Sequence, residues 1–176
     1  NNIKKWCDEN GMLINAGNIT ATFIGRRRLP TTLVNEKRVP MDERLRLTYG
    51  GEVIEYTSAP KFLGVVIDET LSFDPHVQWE VSQFKQRMQC VQSLAGTRWG
   101  CESSLLRSLY LSYVQGCTDY AIGAWGTACN RNCKDQLDTC TNTAASVISG
   151  ITANTLNEVR GQAAGLRPAS DRIVYA

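Results

Sequence analysis

The chain has 176 residues, of which 43% are hydrophobic and 20% charged, the composition of a globular protein with one ordinary domain or two small ones. No apolar segment approaches the length of a membrane-spanning helix, so we expect no membrane partner. The formal net charge of +2 is concentrated in residues 25–46, which hold seven basic and three acidic side chains. Such a patch can neutralise the phosphates of nucleic acid, although most charge runs are solvated loops.

The first residues predict a short helix. Apolar residues at helical spacing, Ile3 and Trp6, precede a stop at Gly11. The start carries neither an initiator methionine nor a secretory signal, so we expect a segment of a longer polypeptide that begins inside a helix. The odd number of cysteines, seven, lacks framework spacing and favours reduced thiols in an intracellular compartment.

Strands are predicted next. Alternation at 20–24 suits one strand, and a basic loop bounded by prolines follows it. Residues 44–56 contain two short strands joined at Gly50-Gly51, which is a hairpin signal. The run KFLGVVID, residues 61–68, is almost continuously apolar, and it predicts a strand that is covered on both faces or lies at the bottom of a cleft.

From Asp74 the hydrophobic period becomes helical. Asp74 is the expected N-cap and Pro75 the first residue of a long amphipathic helix that ends at Gly96. A second helix, behind a serine cap, is predicted in ESSLLRSLYLSYVQG, a third in KDQLDTCTNTAASVISG, and a short one at 156–164. The expected apolar faces are Leu105, Leu109, Tyr113 and Val114 in the second helix, and Leu137, Cys140, Ala144, Val147 and Ile148 in the third.

Strands followed by helices predict an α+β fold. We expect a small, antiparallel, strand-rich unit over residues 1–68 and a bundle of three or four helices over residues 69–176. A doubly wound sheet, which needs alternating strands and helices, is not expected.

The residues that carry chemistry do not form a complete active site. His76, the single histidine, follows Pro75 at the start of a helix, where a surface or capping role is favoured over catalysis. Phosphate-binding glycine loops and the Gly-x-Ser-x-Gly motif are missing from the sequence. Asp8-Glu9 and Asp68-Glu69 are neighbouring carboxylates, but no Asp-Asp pair is present to hold the two metal ions of a polymerase. We therefore predict no catalytic residue and no metal site.

Cys129, Cys133 and Cys140 are the residues to test for metal binding. A structural zinc site needs four ligands, and no fourth Cys or His lies near these three in sequence. Cys133 and Cys140 share one stripe of a predicted packed helix, so small apolar thiols in the core of a bundle are the favoured interpretation.

Several landmarks occur in order along essentially the whole chain. They are IKKWCDENGMLINAGNITATFIG, KFLGVVIDETLSFDPHV, TRWGCESSLLRSLYLSYV, DYAIGAWG and ASVISGITANTLNEVRGQAAGLRPASDR. Together they resemble the reverse transcriptases of non-LTR (LINE-type) retrotransposons, and within these the ingi-like group. The resemblance makes residues 1–68 the C-terminal end of the palm and residues 69–176 the thumb.

The family is an RNA-directed DNA polymerase that primes on nicked target DNA and uses Mg²⁺. Its metal-binding aspartates would precede Asn1, so the resemblance implies a fragment that is inactive alone and has no cofactor of its own. The implied partners are an RNA template, a DNA primer and the upstream fingers and palm. A nuclear location is implied for the complete enzyme.

The resemblance assigns Lys61, Phe62, Leu63, Gly64 and Val65 to the primer grip, a strand that holds the primer end against the palm. Glycine has no Cβ, so Gly64 is expected to let the nucleic-acid backbone approach closely.

A second motif of the family, Asn-x-x-Lys-Thr, falls on residues 15–19. Asn15 matches, but Asn18 replaces the lysine and Ile19 the threonine. A lysine there would stabilise charge on the leaving phosphates, whereas an amide brings no charge. Degeneracy of this copy is favoured, and compensation by Arg26–Arg28 is the alternative.

Thumbs hold a duplex by its backbone and read its shape. The candidate contacts with the nucleic-acid backbone are Arg26, Arg27, Arg28, Lys85, Arg87, Arg98 and Arg107. A solvated helix face explains any one of them equally well. Trp99 and Trp125 are expected to anchor the core rather than to stack on bases.

Two other functions stay open. The chain is alternatively a non-catalytic nucleic-acid-binding or interaction protein derived from such an element, or the product of a decayed copy. An in-frame Tyr/Phe-x-Asp-Asp upstream of Asn1 would favour the polymerase fragment over the first of these.

Overall fold

Short paired strands fill the first part of the chain and helices the rest, in a computed structural model that describes residues 2–25, 30–96, 100–152 and 154–175. The α+β class predicted from the sequence is confirmed. After helix α1 (Asn2–Glu9) come strands β1 (Thr20–Ala21), β2 (Thr31–Val34), β3 (Lys37–Pro40), β4 (Thr48–Tyr49), β5 (Glu52–Val53), β6 (Glu55–Tyr56), β7 (Lys61–Phe62) and β8 (Val65–Val66), with 3₁₀ turns at Ala16–Asn18 and Glu43–Leu45.

The strands form separate pairs rather than one sheet. β2–β3, β4–β5 and β7–β8 are antiparallel, whereas β1 runs parallel to β6, with Thr20 opposite Glu55. The hairpin predicted at Gly50-Gly51 is confirmed, because β4 and β5 pair across these glycines, which have φ values of 62° and 90°.

The prediction of a basic loop before this hairpin is partly wrong, because β2 and β3 pair there into a second hairpin. Its turn residues, Asn35 and Glu36, have φ values of 49° and 65°. Asparagine tolerates this region and glutamate rarely adopts it, so the sequence gives only half of the usual turn signal.

The helical part begins at residue 74. Its elements are α2 (Asp74–Leu94), α3 (Ser103–Leu109), a π-helical segment (Tyr110–Gln115), α4 (Gly116–Thr118), α5 (Ile122–Trp125), a 3₁₀ turn (Gly126–Ala128), α6 (Arg131–Ser149), α7 (Asn157–Ala164) and α8 (Ala169–Val174). Gly150 and Gly165 end α6 and α7 in the left-handed conformation, as their positions in the sequence predict. In the described residues, no helix is long and apolar enough to cross a membrane.

The sequence predicts Asp74 as the N-cap of α2, and this prediction is wrong. Asp74 is the first helical residue. The N-cap is Phe73, which has a φ of 57° and makes no side-chain cap. Asp68 stabilises this turn instead: its carboxylate accepts hydrogen bonds from the N–H and hydroxyl groups of Thr70 and Ser72 and from the N–H of Phe73. The helix ends at Leu94, two residues before the predicted stop.

The buried face of the second predicted helix is also shifted. Leu106, Tyr110 and Val114 lie in the core, whereas Leu105 is 59% exposed and Tyr113 44% exposed. Two leucines stand side by side at 105–106, so the spacing alone permits either face. The predicted serine cap is wrong as well, because Glu102 occupies the N-cap position without a side-chain bond.

Two apolar clusters form the core, and α2 contributes residues to both. The first contains Phe84, Met88, Val91, Leu106, Tyr110, Val114, Cys140, Ala144, Ala145, Ile148, Ala164 and Leu166. The second contains Val77, Ile122, Trp125, Cys129, Cys133, Leu137, Ala169 and Ile173. Trp125 is completely buried, which confirms it as a core anchor, whereas Trp99 lies outside the described residues.

Asp68→Asn is expected to lower the free energy of unfolding by about 2 kcal/mol, because an amide cannot accept all the bonds that the carboxylate accepts. Burial alone would raise the pKa of Asp68, but the hydrogen bonds from Thr70, Phe73 and Ser72 outweigh it and lower the pKa to about 2. The contribution is therefore present above the ordinary pKa near 3.8 and lost as the pH falls through 2. Urea unfolding of wild type and Asp68→Asn at pH 7 measures the first effect, and repeating it at pH 3 and pH 2 follows the loss.

The matched control is Asp135→Asn, which removes an exposed carboxylate from α6. We expect its change to stay within about 0.5 kcal/mol. Equal losses in the two variants would contradict the role assigned to Asp68.

Candidate functional site

The segment resembling a primer grip is a tight hairpin, which we call the 61–66 hairpin. β7 and β8 are joined by Leu63 and Gly64, whose φ values are 45° and 89°. Positive φ at both central residues is the requirement of a type I′ turn. The predicted single strand covered on both faces is therefore wrong, because the chain reverses and leaves Lys61, Phe62 and Leu63 exposed.

Tyr120 holds the tip of this hairpin. Its hydroxyl donates a hydrogen bond of 2.9 Å to the carbonyl of Leu63. A Cβ placed on Gly64 would lie 3.0 Å from Cε1 of the Tyr120 ring. The missing Cβ thus makes room for a protein ring, and close approach of a nucleic-acid backbone at Gly64 stays a prediction.

Helix α2 holds the base of the hairpin. The ammonium of Lys61 lies 3.8 Å from the centroid of the Trp79 ring, a cation–π contact. The N–H of Val66 donates to Nδ1 of His76 at 3.4 Å, and Val65 packs against the cluster around Trp125. The hairpin is therefore fixed to the helical part through both of its strands and its turn.

The predicted surface or capping role of His76 is wrong, because His76 lies in the interior. Its side chain has no exposed area and meets the Trp125 ring edge-on, with 4.8 Å between centroids. Burial, assisted by the charge of Lys61, lowers its pKa, so the imidazole is neutral at physiological pH. Since Nδ1 accepts from Val66, the proton resides on Nε2, which has no hydrogen-bond partner in the described residues.

Glu80 faces this imidazole from the next turn of α2. Its Oε1 is 3.9 Å from Nε2 of His76, and its Oε2 accepts from the Cys117 thiol at 3.6 Å. The side chain is only 1% exposed, and burial raises its pKa to about 7 against the lowering effects of Cys117, Arg87 and Lys61. The carboxyl group therefore changes its charge near neutral pH.

An open cavity of about 420 Å³ lies beside the hairpin, and we call it the hairpin cavity. It is lined by Gly64, Trp79, Glu80, Arg87, Ser112, Gly116, Cys117 and Tyr120. Of these residues, the sequence predicts a contact with nucleic acid only for Gly64 and Arg87. Tyr120 lies 57 positions from its partner Leu63, and no local pattern connects the two.

Two of the arginines predicted to contact the nucleic-acid backbone, Arg87 and Arg107, have hydrogen-bond partners within the protein. Arg87 donates to the carbonyl of Tyr113 at 2.8 Å, and Arg107 donates twice to the carbonyl of Gly165. Lys85 is exposed on α2. Arg26, Arg27, Arg28 and Arg98 lie outside the described residues.

The motif at 15–19 forms a 3₁₀ turn. Asn15 accepts a hydrogen bond from the N–H of Gly17 at 3.1 Å, so its side chain shapes the turn. Asn18 is exposed and Ile19 half-buried. No contact described for this turn assigns it a role in nucleotide binding.

The three cysteines tested for metal binding lie in the core, as the helical stripe predicts. The Cys133 thiol donates to Asp74 at 2.8 Å, and burial followed by this carboxylate raises its pKa to about 12. Burial raises the pKa of Cys140 to about 11. Within the described ranges, no group of three or more His, Cys, Asp or Glu side chains is placed to hold a metal ion.

Part of the chain is similar to a known transposon protein. Over 82 residues, it is 29% identical to "Probable RNA-directed DNA polymerase from transposon BS" of Drosophila melanogaster. The match covers 47% of this chain and 9% of the relative. No family model and no solved structure matches. The similarity supports reverse transcriptase at the level of the family.

Gly64→Ala is expected to lower the free energy of unfolding by about 2 kcal/mol, because alanine is strained at this φ and its Cβ would press on Tyr120. Gly50→Ala is the control: this glycine also has a positive φ, but nothing lies within 4 Å of its added Cβ. A loss of only about 1 kcal/mol is expected there. Denaturant unfolding compares the two, and equal losses would show that the Tyr120 contact contributes nothing.

Glu80→Gln is expected to be more stable than wild type at pH 8, and this advantage should be smaller at pH 5. The folded-state pKa of Glu80 lies above its ordinary value of 4.5, so wild-type stability is full below 4.5 and is lost as the pH rises through about 7. The neutral amide avoids this loss, so the variant should gain on the order of 2 kcal/mol over wild type across that window.

The measurement is urea unfolding of both proteins between pH 4.5 and 8. The exposed Glu158→Gln, on α7, serves as the control and should show no such trend. A wild-type and Glu80→Gln difference that is independent of pH would contradict the raised pKa.

Proposed function

We propose that this chain grips the template-primer duplex of RNA and DNA as part of the RNA-directed DNA polymerase of a non-LTR retrotransposon. The observation that carries the proposal is the 61–66 hairpin, which presents Lys61, Phe62 and Leu63 to solvent. Phe62 is 63% exposed and Leu63 76% exposed. The similarity to a transposon polymerase supports the same family.

The contacts that fix the hairpin to the helical part suit an element that grips nucleic acid. A contact group that must position a primer end gains accuracy when its own backbone is fixed by packing and hydrogen bonds. Tyr120, Trp79 and His76 provide three such contacts from the helical part. A duplex gripped here would therefore meet a surface that does not have to be ordered on binding.

Charge and apolar surface have different tasks in this proposal. Lys61 supplies a cation for a phosphate, because the residue is exposed even though its ammonium also contacts Trp79. Phe62 and Leu63 supply apolar area for the sugar and base edges near the primer end. Arg87 and Arg107 contribute less, because each already donates to a carbonyl of the protein.

Polymerase chemistry is assigned to the complete enzyme and not to this chain. The Mg²⁺ expected for that enzyme finds no suitable group of ligands among the described residues. The role of this chain is to bind and orient the duplex.

Binding of a blunt RNA–DNA hybrid tests the proposal. We expect affinity to fall measurably between 50 and 200 mM salt, because each phosphate contact releases counterions. Lys61→Gln should lower the slope of log affinity against log salt by about one. Phe62→Ala should weaken binding about tenfold at every salt concentration, because it removes apolar contact rather than charge.

Lys4→Gln and Leu33→Ala are the matched controls, since both side chains are exposed and lie outside the 61–66 hairpin. They should bind as wild type does. Affinity that is insensitive to salt, or equal losses in the hairpin and control variants, would overturn the proposal.

A further inference from the structure

The hairpin cavity has the size of a pocket for one planar group. Its volume of about 420 Å³ falls within the range of small-molecule sites, which is about 300–1,000 Å³. Gly64 brings one wall from the hairpin, and the remaining walls come from α2 and from the segment between 112 and 120. Anything bound there would touch the element proposed to hold the duplex.

Tyr120 offers the open aromatic surface in this cavity. Tyr120 is 52% exposed as a residue, and its hydroxyl donates a hydrogen bond to the carbonyl of Leu63. Trp79 offers less, because the Lys61 ammonium covers its ring and His76 lies nearly parallel to it at 6.1 Å. A ring that is fixed and half exposed is a platform on which a base can stack at little entropic cost.

Polar groups surround the platform. Arg87 uses one N–H for the Tyr113 carbonyl, which holds the guanidinium at the cavity wall, and among the described residues it donates to no other acceptor. The Ser112 hydroxyl donates to backbone carbonyls one turn back, so its oxygen lone pairs stay free to accept. Donors and an acceptor beside an aromatic ring match the edge of a nucleobase.

The local backbone supports a ligand role for this wall. Ser112 lies in the π-helical segment Tyr110–Gln115. Such segments are rare, and they occur frequently at functional sites. Here the segment ends directly before Gly116, which also lines the cavity.

We infer that the hairpin cavity binds one unpaired nucleobase of the nucleic acid held by the 61–66 hairpin, stacked on Tyr120 with its edge toward Arg87 and Ser112. The inference rests on the proposed function and extends it from duplex to an overhanging end. Stacking tolerates any base, because every base has a π face. Preference for an overhang, rather than for a sequence, is therefore the expected property.

The test compares three RNA–DNA hybrids of equal duplex length. One is blunt, one carries a two-nucleotide 3′ DNA overhang, and one carries the same overhang with abasic residues. We expect wild type to bind the overhang about tenfold more tightly than the blunt hybrid. The abasic overhang keeps the phosphates and loses the bases, so it should bind as the blunt hybrid does.

Variants locate the base. Ser112→Leu fills the cavity from an exposed position and should abolish the overhang preference while leaving blunt-hybrid affinity unchanged. Ser108→Leu is its control, since this exposed serine makes the same kind of bond one turn earlier and does not line the cavity. Tyr120→Phe keeps the ring and should keep the preference, whereas Tyr120→Leu should lose it.

The outcomes separate the two claims. Equal binding of blunt and overhanging hybrids would overturn the pocket and leave the proposed function standing, whereas binding of no hybrid would overturn both. A preference that survives in Ser112→Leu and Tyr120→Leu would place the base elsewhere and overturn the pocket. A preference retained with the abasic overhang would assign it to phosphates and have the same consequence.

Discussion

The arrangement of the molecule depends on the carboxylate of Asp68. It accepts five hydrogen bonds from the next few residues and so holds Leu71 and Phe73 at positive φ, a conformation that neither side chain favours alone. That loop sets the direction in which α2 leaves the strand region. Because α2 leaves in this direction, His76, Trp79 and Glu80 face the 61–66 hairpin. His76 and Trp79 contact its strands and so fix its position.

The attachment of the hairpin to α2 requires polar groups in the interior. His76 and Glu80 have almost no exposed area, and Nε2 of His76 has no hydrogen-bond partner in the described part of the chain. An apolar pair would pack at lower free-energy cost, but it could not accept the N–H of Val66. The orientation of the hairpin therefore costs some stability.

The sequence predicts the helices better than the hairpin, for physical reasons. Gly150 and Gly165 are local stop signals, and the structure confirms both. The 61–66 hairpin has Leu-Gly in a turn that usually takes Asn-Gly, so an apolar run hides it. Its stability comes from Tyr120, far along the chain, and the burial of His76 likewise comes from tertiary contacts that periodicity does not contain.

If the proposed function holds, charge restricts where a nucleic acid can lie on this protein. With a net charge of +2, the chain has little overall field to attract phosphates, so local placement decides. A groove of about 650 Å³ between α6, α7 and α8 is lined by carboxylates, among them Asp135, Asp138 and Glu158, and would repel a phosphate backbone. The hairpin side, by contrast, combines Lys61 and Arg87 with exposed rings, and the carboxyl group of Glu80, which lines the hairpin cavity, is buried. On the proposed function, the duplex therefore approaches from the hairpin side, where the protein contributes shape and stacking more than charge.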